Sequence, residues 1–326
     1  MRKPEYLSFS SYSQWTKDKQ EFYLRYLAEH RPPRLPQAPP AAVGSGFDAH
    51  VKANLHSALF GKGSDPEYEL DKLYETQVEP QNRDFARLPS LYAFHCYVQS
   101  GLYRTLLDDL QQADGAPRFE SKVQGFAGIA PILGKPDLYW RRANGLRVIH
   151  DWKVNGYCSK ANTSPNKCYR ISYDSWKCGK PSQSHGKPHK SYTPLDFQGY
   201  DIDTAYMEDY NIAWASQLSM YAWCLGETPA SEEFVVQIHQ ITGKGRDNQQ
   251  PLLRNTEFRA RVRKSFQEFL CNDLQECWKD IDSGYIFTEL DREDSDAKCE
   301  SLDRMSETLK DDDYFSTLIR PEFKGY

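Results

Sequence analysis

Apolar and polar positions near the middle of the chain predict a β-hairpin. The apolar run 138–140 is followed shortly by the pair Asn144-Gly145, and apolar positions resume within 146–149. An Asn-Gly turn between two apolar runs is among the strongest short-range hairpin signals. We take this hairpin as the element around which the rest of the chain is organised.

The spacing of apolar positions predicts helices and strands on both sides of the hairpin. Helices are predicted after the serine-rich turn at 8–13, from near Phe47, within 65–114, at 214–223 and at about 257–282. Strands are predicted at 118–123, 125–133 and 233–241. The proline-rich segment 31–46 predicts an extended connector.

The composition is typical of a soluble protein. Of 326 residues, 39% are hydrophobic and 27% are charged, and the mean hydropathy is -0.76. No apolar run approaches the roughly 20 residues that span a bilayer, and the N-terminus leads into an amphipathic segment instead of a signal-peptide core. The eight cysteines are scattered, which predicts reduced thiols. We expect a cytoplasmic protein without a membrane partner.

Charge is unevenly distributed, although the formal net charge is only -5. Residues 160–190 contain seven lysines and arginines against one aspartate, whereas residues 289–313 contain eleven acidic and four basic residues. For a nucleic-acid partner this distribution matters more than the total. The basic segment directly follows the hairpin.

The hairpin carries residues suited to metal-assisted phosphodiester hydrolysis. Asp137 opens its first strand, and Asp151 and Lys153 close the second, where their spacing of two puts both side chains on one face. Two carboxylates and the carbonyl of Trp152 could hold Mg²⁺, which prefers oxygen ligands. Lys153 could orient or deprotonate the attacking water. A surface hairpin with solvated charges explains these residues equally well.

Two stretches together resemble a known family. Pro136-Asp137 followed by Asp151-Trp152-Lys153 resembles the signature of the PD-(D/E)XK nuclease superfamily, and the aromatic stretch 22–27 is similar to the first helix of its RecB-like and CRISPR-associated members. The resemblance implies an α/β fold with a restriction-endonuclease-like core. That core has a central mixed β-sheet flanked by helices, here with a helical N-terminal half and an inserted basic loop.

The same resemblance implies further site residues. His50, which follows Gly46 at the start of a helix, corresponds to a histidine that contributes to the metal site. Glu120, on a strand before the motif aspartate, would join the metal ligands and the catalytic group. Gln217 and Tyr221 resemble the Q-x-x-x-Y helix that borders the active site and contacts DNA.

The resemblance also bears on cofactors. It implies one or two Mg²⁺ or Mn²⁺ ions. Many relatives carry a Cys-Pro pair before the first aromatic stretch for an iron–sulfur cluster, but this chain has Asp18-Lys19 there, and its C-terminal cysteines are widely spread. We therefore predict no iron–sulfur cluster.

The insertion at 155–210 has no clear periodicity and interleaves basic with aromatic residues. That mixture suits a single strand of nucleic acid, and it suits a mobile solvated loop equally well. The residues assigned to DNA binding are Lys160, Lys167, Arg170 and Lys177. The insertion's cysteines are more widely spaced than the pairs two to four residues apart that structural zinc sites use, which argues against zinc.

These observations predict one nuclease domain over residues 1–288 and an acidic C-terminal segment over 289–326. The parts of the domain are a mainly helical region (1–115), a catalytic β-meander (116–154), the basic insertion (155–210) and a helix–strand–helix region (211–288). The acidic segment could bind a protein partner, although a solvated tail is more typical.

The predicted function is metal-dependent cleavage of DNA. By analogy with the resembled branch, an exonuclease acting on linear duplex ends or single strands in recombination, repair or phage-type DNA processing is favoured. A structure- or sequence-specific endonuclease is the alternative enzyme. A non-catalytic nucleic-acid-binding module is the alternative outside the enzyme class.

Overall fold

The computed structural model describes residues 1–155, 194–243 and 253–309 in full, and the backbone alone of 176–177, 180–181, 244–246 and 249–252. Its helices are α1 (Phe9–Lys17), α2 (Lys19–Phe22), α3 (Pro39–Phe60), α4 (Leu70–Gln77), α5 (Arg83–Gln99), α6 (Leu102–Gln111), α7 (Met207–Tyr210), α8 (Ile212–Cys224), α9 (Lys264–Ser283) and α10 (Arg292–Thr308). A π-helix (Tyr23–Leu27) and two 3-10 turns (Pro66–Tyr68, Pro80–Asn82) complete the helical elements of this part of the chain. Within it, no helix has both the length and the apolar character needed to cross a bilayer.

The strands of the described chain form one large and three small sheets. They are β1 (Leu7–Ser8), β2 (Arg118–Phe119), β3 (Val123–Ala127), β4 (Ala130–Gly134), β5 (Leu138–Arg141), β6 (Arg147–Asn155), β7 (Trp176–Lys177), β8 (Lys180–Pro181), β9 (Leu195–Phe197), β10 (Tyr200–Ile202), β11 (Phe234–Arg246) and β12 (Gln249–Ala260). The large sheet has the strand order β12-β11-β6-β5-β2.

The predicted hairpin is confirmed at the centre of this sheet. Strands β5 and β6 pair antiparallel with Leu138 opposite His150, and Gly145 of the connecting turn adopts a φ of 89°, which glycine tolerates without strain. Strand β11 pairs parallel to β6 on its other edge. The sheet is therefore mixed, as predicted.

Helices cover both faces of the sheet. Neighbouring residues of β6 point to opposite sides, so Ile149 packs into an apolar layer with α1, α8 and α9, whereas Val148 packs into a layer with α3, α5 and α6. The protein is thus a mixed α/β structure with a mainly helical N-terminal half. Helix α10 adds Leu302 to the first layer, beyond the domain boundary predicted at residue 288.

Helix α3 begins earlier than the sequence predicts. Pro39 and Pro40 occupy its first two positions, where proline has no hydrogen bond to lose and its fixed φ favours the helix. Gly46, predicted to end a connector, lies inside the helix, where an added Cβ would be 2.7 Å from the Ser90 Oγ atom of α5. The absence of a side chain at Gly46 lets α3 approach α5.

Strand β12 was not predicted, because the long helix was expected to begin at about Glu257. Helix α9 begins only at Lys264, and Glu257 and Arg259 are buried strand residues. They form an ion pair of 2.9 Å between Arg259 Nε and Glu257 Oε1, and Glu257 also lies 3.1 Å from His239 Nε2. Polar groups that satisfy one another inside the fold leave no apolar pattern to detect.

Three further segments differ from expectation. The strand predicted at 125–133 is a hairpin of β3 and β4, which turns at Gly128 with a φ of 61°. The insertion contains a short β9–β10 hairpin and the one-turn helix α7. In the acidic segment, Asp303 of α10 accepts a hydrogen bond of 3.0 Å from the Tyr23 hydroxyl, so this part packs on the N-terminal helices; residues 310–326 lie outside the described chain.

Candidate active site

Carboxylates from three separate elements converge beside the hairpin. One oxygen each from Asp48 on α3, Glu120 after β2 and Asp137 before β5 lie within 4.8 Å of one another. Asp151 of β6 adjoins this group, because it follows His150, the residue opposite Leu138, and is close enough to Asp137 for the two carboxyl groups to affect each other's pKa. The pairing of β5 with β6 produces this proximity, since it sets the start of one strand beside the end of the other.

The backbone of Trp152 faces the same carboxylates. Its N–H donates a hydrogen bond of 3.1 Å to Asp137 Oδ2. In an extended strand the N–H and C=O of one residue point to the same side, so the Trp152 carbonyl also faces the edge that β5 leaves uncovered. Its indole lies on the opposite face of the sheet, where Nε1 donates to the Tyr97 hydroxyl at 3.3 Å.

Glu120 reaches the cluster from an unusual backbone conformation. Its φ is 45°, a left-handed value that is uncommon outside glycine, and its N–H donates to the Asp137 carbonyl at 3.2 Å. The carboxylate accepts hydrogen bonds from Gln77 Nε2 at 3.2 Å and forms an ion pair of 3.0 Å with Lys135. The turn at Glu120 ends β2 and aims the carboxylate at the site.

Sequence reasoning missed Asp48 and Lys52 on α3. They are one helical turn apart on the same face, and the Lys52 side chain is completely buried. Lys52 Nζ contacts Asp48 and lies 2.6 Å from Glu120 Oε1 and 3.6 Å from Asp137 Oδ1. The available signal was an Asp-x-x-x-Lys pair within a helix that is otherwise rich in apolar residues.

His50 does not join the group, contrary to what the resemblance implied. It lies two residues from both Asp48 and Lys52, which places it on roughly the opposite side of α3. Its ring stacks on Phe94 of α5, with the ring centroids 5.7 Å apart. Burial, then His95, lowers the pKa of His50 to about 4. The histidine is therefore a neutral packing residue.

Helix α8 brings both predicted polar residues to the site. Lys153 Nζ contacts Asp151 and donates a hydrogen bond of 2.9 Å to Gln217 Oε1, and Gln217 Nε2 donates to the Tyr221 hydroxyl at 2.8 Å. Close packing allows this approach, because an added Cβ on Gly134 of β4 would lie 2.7 Å from the Tyr221 ring.

Two of the four carboxyl groups have lowered pKa values. Burial alone would raise the pKa of Asp137, but Lys52, Lys153 and the Trp152 N–H hold it below its ordinary value. Burial likewise opposes ionisation of Glu120, but Lys52 outweighs it and keeps that pKa low. Both groups are carboxylates at neutral pH.

The other two carboxyl groups have raised pKa values. Burial raises the pKa of Asp151 to about 7, with a further contribution from neighbouring Asp137 that Lys153 opposes. Burial also raises the pKa of Asp48 to about 7, against the effect of Lys52. Near neutral pH each of these two carboxyl groups is therefore partly protonated, as happens where carboxyl groups lie close together in one site.

Both lysines are charged in this arrangement. Burial alone would lower the pKa of Lys52, but Asp48 and then Asp137 raise it; for Lys153, Asp151 and Asp137 do the same. A raised pKa favours the protonated form of each group, which is the charged ammonium for a lysine and the neutral acid for its carboxyl neighbour. We take the ammonium form as present, because each lysine also faces the ionised Asp137. Two ammonium groups then balance two carboxylates.

The cluster lies in a cleft of about 830 Å³. Arg34, Lys122 and Lys135 are among the residues that line it, together with the carboxylates and Trp152. The assigned DNA-binding residues Lys160, Lys167 and Arg170 lie outside the described residues. Lys177 belongs to β7 by its backbone, and its side chain also lies outside them. Of the other predicted residues, the structure gathers Glu120, Asp137, Asp151, Trp152, Lys153, Gln217 and Tyr221 at one place.

The donor set fits a hard divalent cation. Carboxylate and carbonyl oxygens are the ligands that Mg²⁺ and Mn²⁺ prefer. Among the described residues, the buried Asp48 Oδ1 atom has no hydrogen-bond partner, so the cluster has unused acceptor capacity. Asp137, Asp151 and Trp152 line the cleft together beside the start of β5.

Comparison with known proteins gives little further information. No protein-family profile matches the chain, and no curated protein sequence matches it. A solved structure, the crystal structure of SSO0001, is 13% identical and covers 81% of this chain and 84% of its own, with a TM-score of 0.25. A similarity at that TM-score supports no conclusion about fold or function.

Proposed function

We propose that this protein is a divalent-metal-dependent nuclease that hydrolyses DNA phosphodiester bonds, with a place in the RecB-like branch of the PD-(D/E)XK superfamily. The observation that carries the proposal is that Asp137, Asp151 and Lys153 lie next to one another in the lining of one cleft, with Lys153 in contact with Asp151. Two carboxylates and an ammonium in one space can hold a metal ion and a phosphate together.

Asp137, Asp151 and the Trp152 carbonyl would hold Mg²⁺ or Mn²⁺. The ion would supply an activated water and charge stabilisation at the phosphate. Glu120 lies close enough to Asp137 to contribute a carboxylate oxygen or to fix the ligand's position. These four groups would be the oxygen donors to the ion, with Asp48 beside them.

Lys153 would act as a donor and not as a base. Its pKa is raised, so the ammonium can donate to the attacking water or to a phosphate oxygen but cannot accept a proton. The hydrogen bond to Gln217 fixes the end of an otherwise flexible side chain. Gln217 and Tyr221 would thereby position the group that approaches the phosphate.

The cleft offers cations for the remaining backbone of the nucleic acid. Arg34, Lys122 and Lys135 line it and are separate in sequence from the basic insertion. Phosphate contacts of this kind position a strand without reading its sequence. By analogy alone, we favour an exonuclease that acts on linear duplex ends or single strands in recombination, repair or phage-type processing, over a structure- or sequence-specific endonuclease.

One observation favours a different function. The Lys52 ammonium already provides a counter-charge for three carboxylates without a metal. A nucleic-acid-binding module that keeps the cluster only for stability would need nothing more. It would bind DNA equally well with Mg²⁺ and with chelator and would cleave none.

The test is cleavage of end-labelled linear DNA and closed circular DNA by the wild-type protein and by Asp151→Ala, with Mg²⁺, with Mn²⁺ and with chelator. Metal-dependent loss of linear DNA alone, abolished in the variant, supports the exonuclease. Cutting of the circle supports the endonuclease. Binding without cleavage under every condition overturns the nuclease proposal.

A further inference from the structure

The carboxylates of the site form two groups that share Asp137. One group consists of Asp48, Glu120 and Asp137 around Lys52 Nζ. The other consists of Asp137 and Asp151, which adjoin where β5 begins beside β6 and line the cleft together with Lys153. A pair of cation positions bridged by one carboxylate is the arrangement of two-metal sites, in which the ions lie about 4 Å apart.

Lys52 fills the first of these positions. Its Nζ lies 2.6 Å from Glu120 Oε1 and 3.6 Å from Asp137 Oδ1 and contacts Asp48, so it faces three carboxylates at once. A divalent ion bound to the same three groups would need the same space. The two cations cannot occupy it together.

The ammonium is enclosed and not free to leave. The Lys52 side chain has no exposed surface and extends from the middle of α3. Withdrawing it would leave a buried charge without its partners or would require α3 to move, and both are costly. Lys135 differs in this respect, since its side chain pairs with the other oxygen of Glu120 but is 48% exposed.

We infer that Lys52 is a built-in replacement for one metal ion, so that the site takes a single divalent cation, held by Asp137 and Asp151. This rests on the proposed function. Lys52 is then a positioning residue: its single positive charge lies among Asp48, Glu120 and Asp137 and fixes the shared carboxylate of Asp137. A nuclease of this design needs one ion per active site.

The first experiment counts metal ions without measuring cleavage. Mn²⁺ is titrated into the wild-type protein, Lys52→Met, Lys52→Arg and the matched control Lys135→Met, and free Mn²⁺ is measured by electron paramagnetic resonance. We expect one ion per chain in the wild-type protein, in Lys135→Met and in Lys52→Arg, which keeps a cation in place. Lys52→Met should bind a second ion, because three carboxylates lose their counter-charge.

A second experiment locates the ion in the wild-type background. Asp151→Asn should weaken Mn²⁺ binding by at least about tenfold, as loss of a ligand or its support does, whereas Asp48→Asn should change it by less than about threefold. Circular dichroism would show whether Lys52→Met folds. If it does not, the number of Mn²⁺ ions bound by the wild-type protein and the affinities of these two variants still test the role of Lys52.

The outcomes separate this inference from the proposed function. Two ions in the wild-type protein, or a loss of affinity in Asp48→Asn as large as in Asp151→Asn, would overturn the role of Lys52 and leave a metal-dependent nuclease in place. No Mn²⁺ binding by the wild-type protein would overturn both.

Discussion

Lys153 Nζ donates a hydrogen bond of 2.9 Å to Gln217 Oε1, which ties the end of β6 to α8. The two residues are 64 positions apart in sequence, and the contact depends on α8 packing closely against β3 and β4. A helix on one face of the sheet thus controls the position of the ammonium group.

The contact predicts a positioning effect for Gln217. In Gln217→Ala, Lys153 loses its neutral acceptor and keeps only its contact with Asp151, so we expect cleavage to fall by about 10- to 100-fold, the range seen when a supporting hydrogen bond is lost beside a metal site. Mn²⁺ affinity should change little. Tyr221→Phe is the matched control, because it removes only the hydroxyl that Gln217 contacts and should cost less. Wild-type cleavage in Gln217→Ala would contradict this role.

The position of His50 distinguishes the site in this structure from the metal site that the family resemblance implied. Because its ring stacks on Phe94 away from the carboxylates, His50→Gln should retain Mn²⁺ affinity and cleavage within about threefold of wild type, unlike loss of a true ligand. Asp137→Asn in the same assays should lose both. A tenfold loss of metal affinity in His50→Gln would restore the histidine as a ligand.

His50 also predicts a pH dependence of stability. Its folded pKa is about 4, below the ordinary value of 6.5, so the unfolded chain binds the proton first as the pH falls. Stability from this group is present above pH 6.5 and is lost between pH 6.5 and 4, by up to about 3 kcal/mol. Urea unfolding of wild type and His50→Gln across this range should show a shallower decline in the variant. Parallel curves would contradict the prediction.

Asp151 predicts that metal binding releases protons. Its pKa is raised to about 7, and a ligand carboxyl must be ionised, so Mn²⁺ binding should release more protons at pH 6 than at pH 8. Without metal, the raised pKa stabilises the folded state at low pH, and that contribution is lost as the pH rises through 7. Calorimetry in two buffers of different ionisation enthalpy measures the release. Equal release at both pH values would argue against this ionisation.

Two glycines of α3 form a matched pair. A Cβ on Gly46 would lie 2.7 Å from Ser90 Oγ and 3.0 Å from the Tyr74 ring, whereas the nearest contact of a Cβ on Gly44 is Val154 at 3.9 Å. Gly46→Ala should therefore destabilise the protein by about 1–3 kcal/mol through overpacking. Gly44→Ala should stabilise it by up to about 1 kcal/mol, because alanine is the better helix former.

The same pair tests how α3 supports the site. Since Gly46→Ala would push α3 away from α5, it should also disturb Asp48 and Lys52 and lower cleavage, while Gly44→Ala should not. Thermal unfolding and the cleavage assay on both variants measure the two effects. A Gly46→Ala protein as stable and active as Gly44→Ala would show that α3 has room to adjust.

The sequence pattern was enough to predict the relationships between residues that lie close together along the chain. The Asn144-Gly145 pair predicted the central hairpin, and strand periodicity predicted that Asp151 and Lys153 share a face. Helical periodicity predicted that Gln217 and Tyr221 are adjacent on one helix. Each of these relationships extends over no more than a few residues.

Tertiary structure decided the relationships that depend on how elements pack. The sequence could not say which face of α3 meets the hairpin, and packing of the helix on α5 turned Asp48 and Lys52 inward and His50 away. Likewise, Glu257 was predicted as helical because its partners, Arg259 and His239, satisfy its charge only in the folded sheet. The sequence determines whether a segment repeats as a helix or as a strand. Contacts between elements decide which face of each element points into the site and which residues it meets, and the chemistry of the site depends on both.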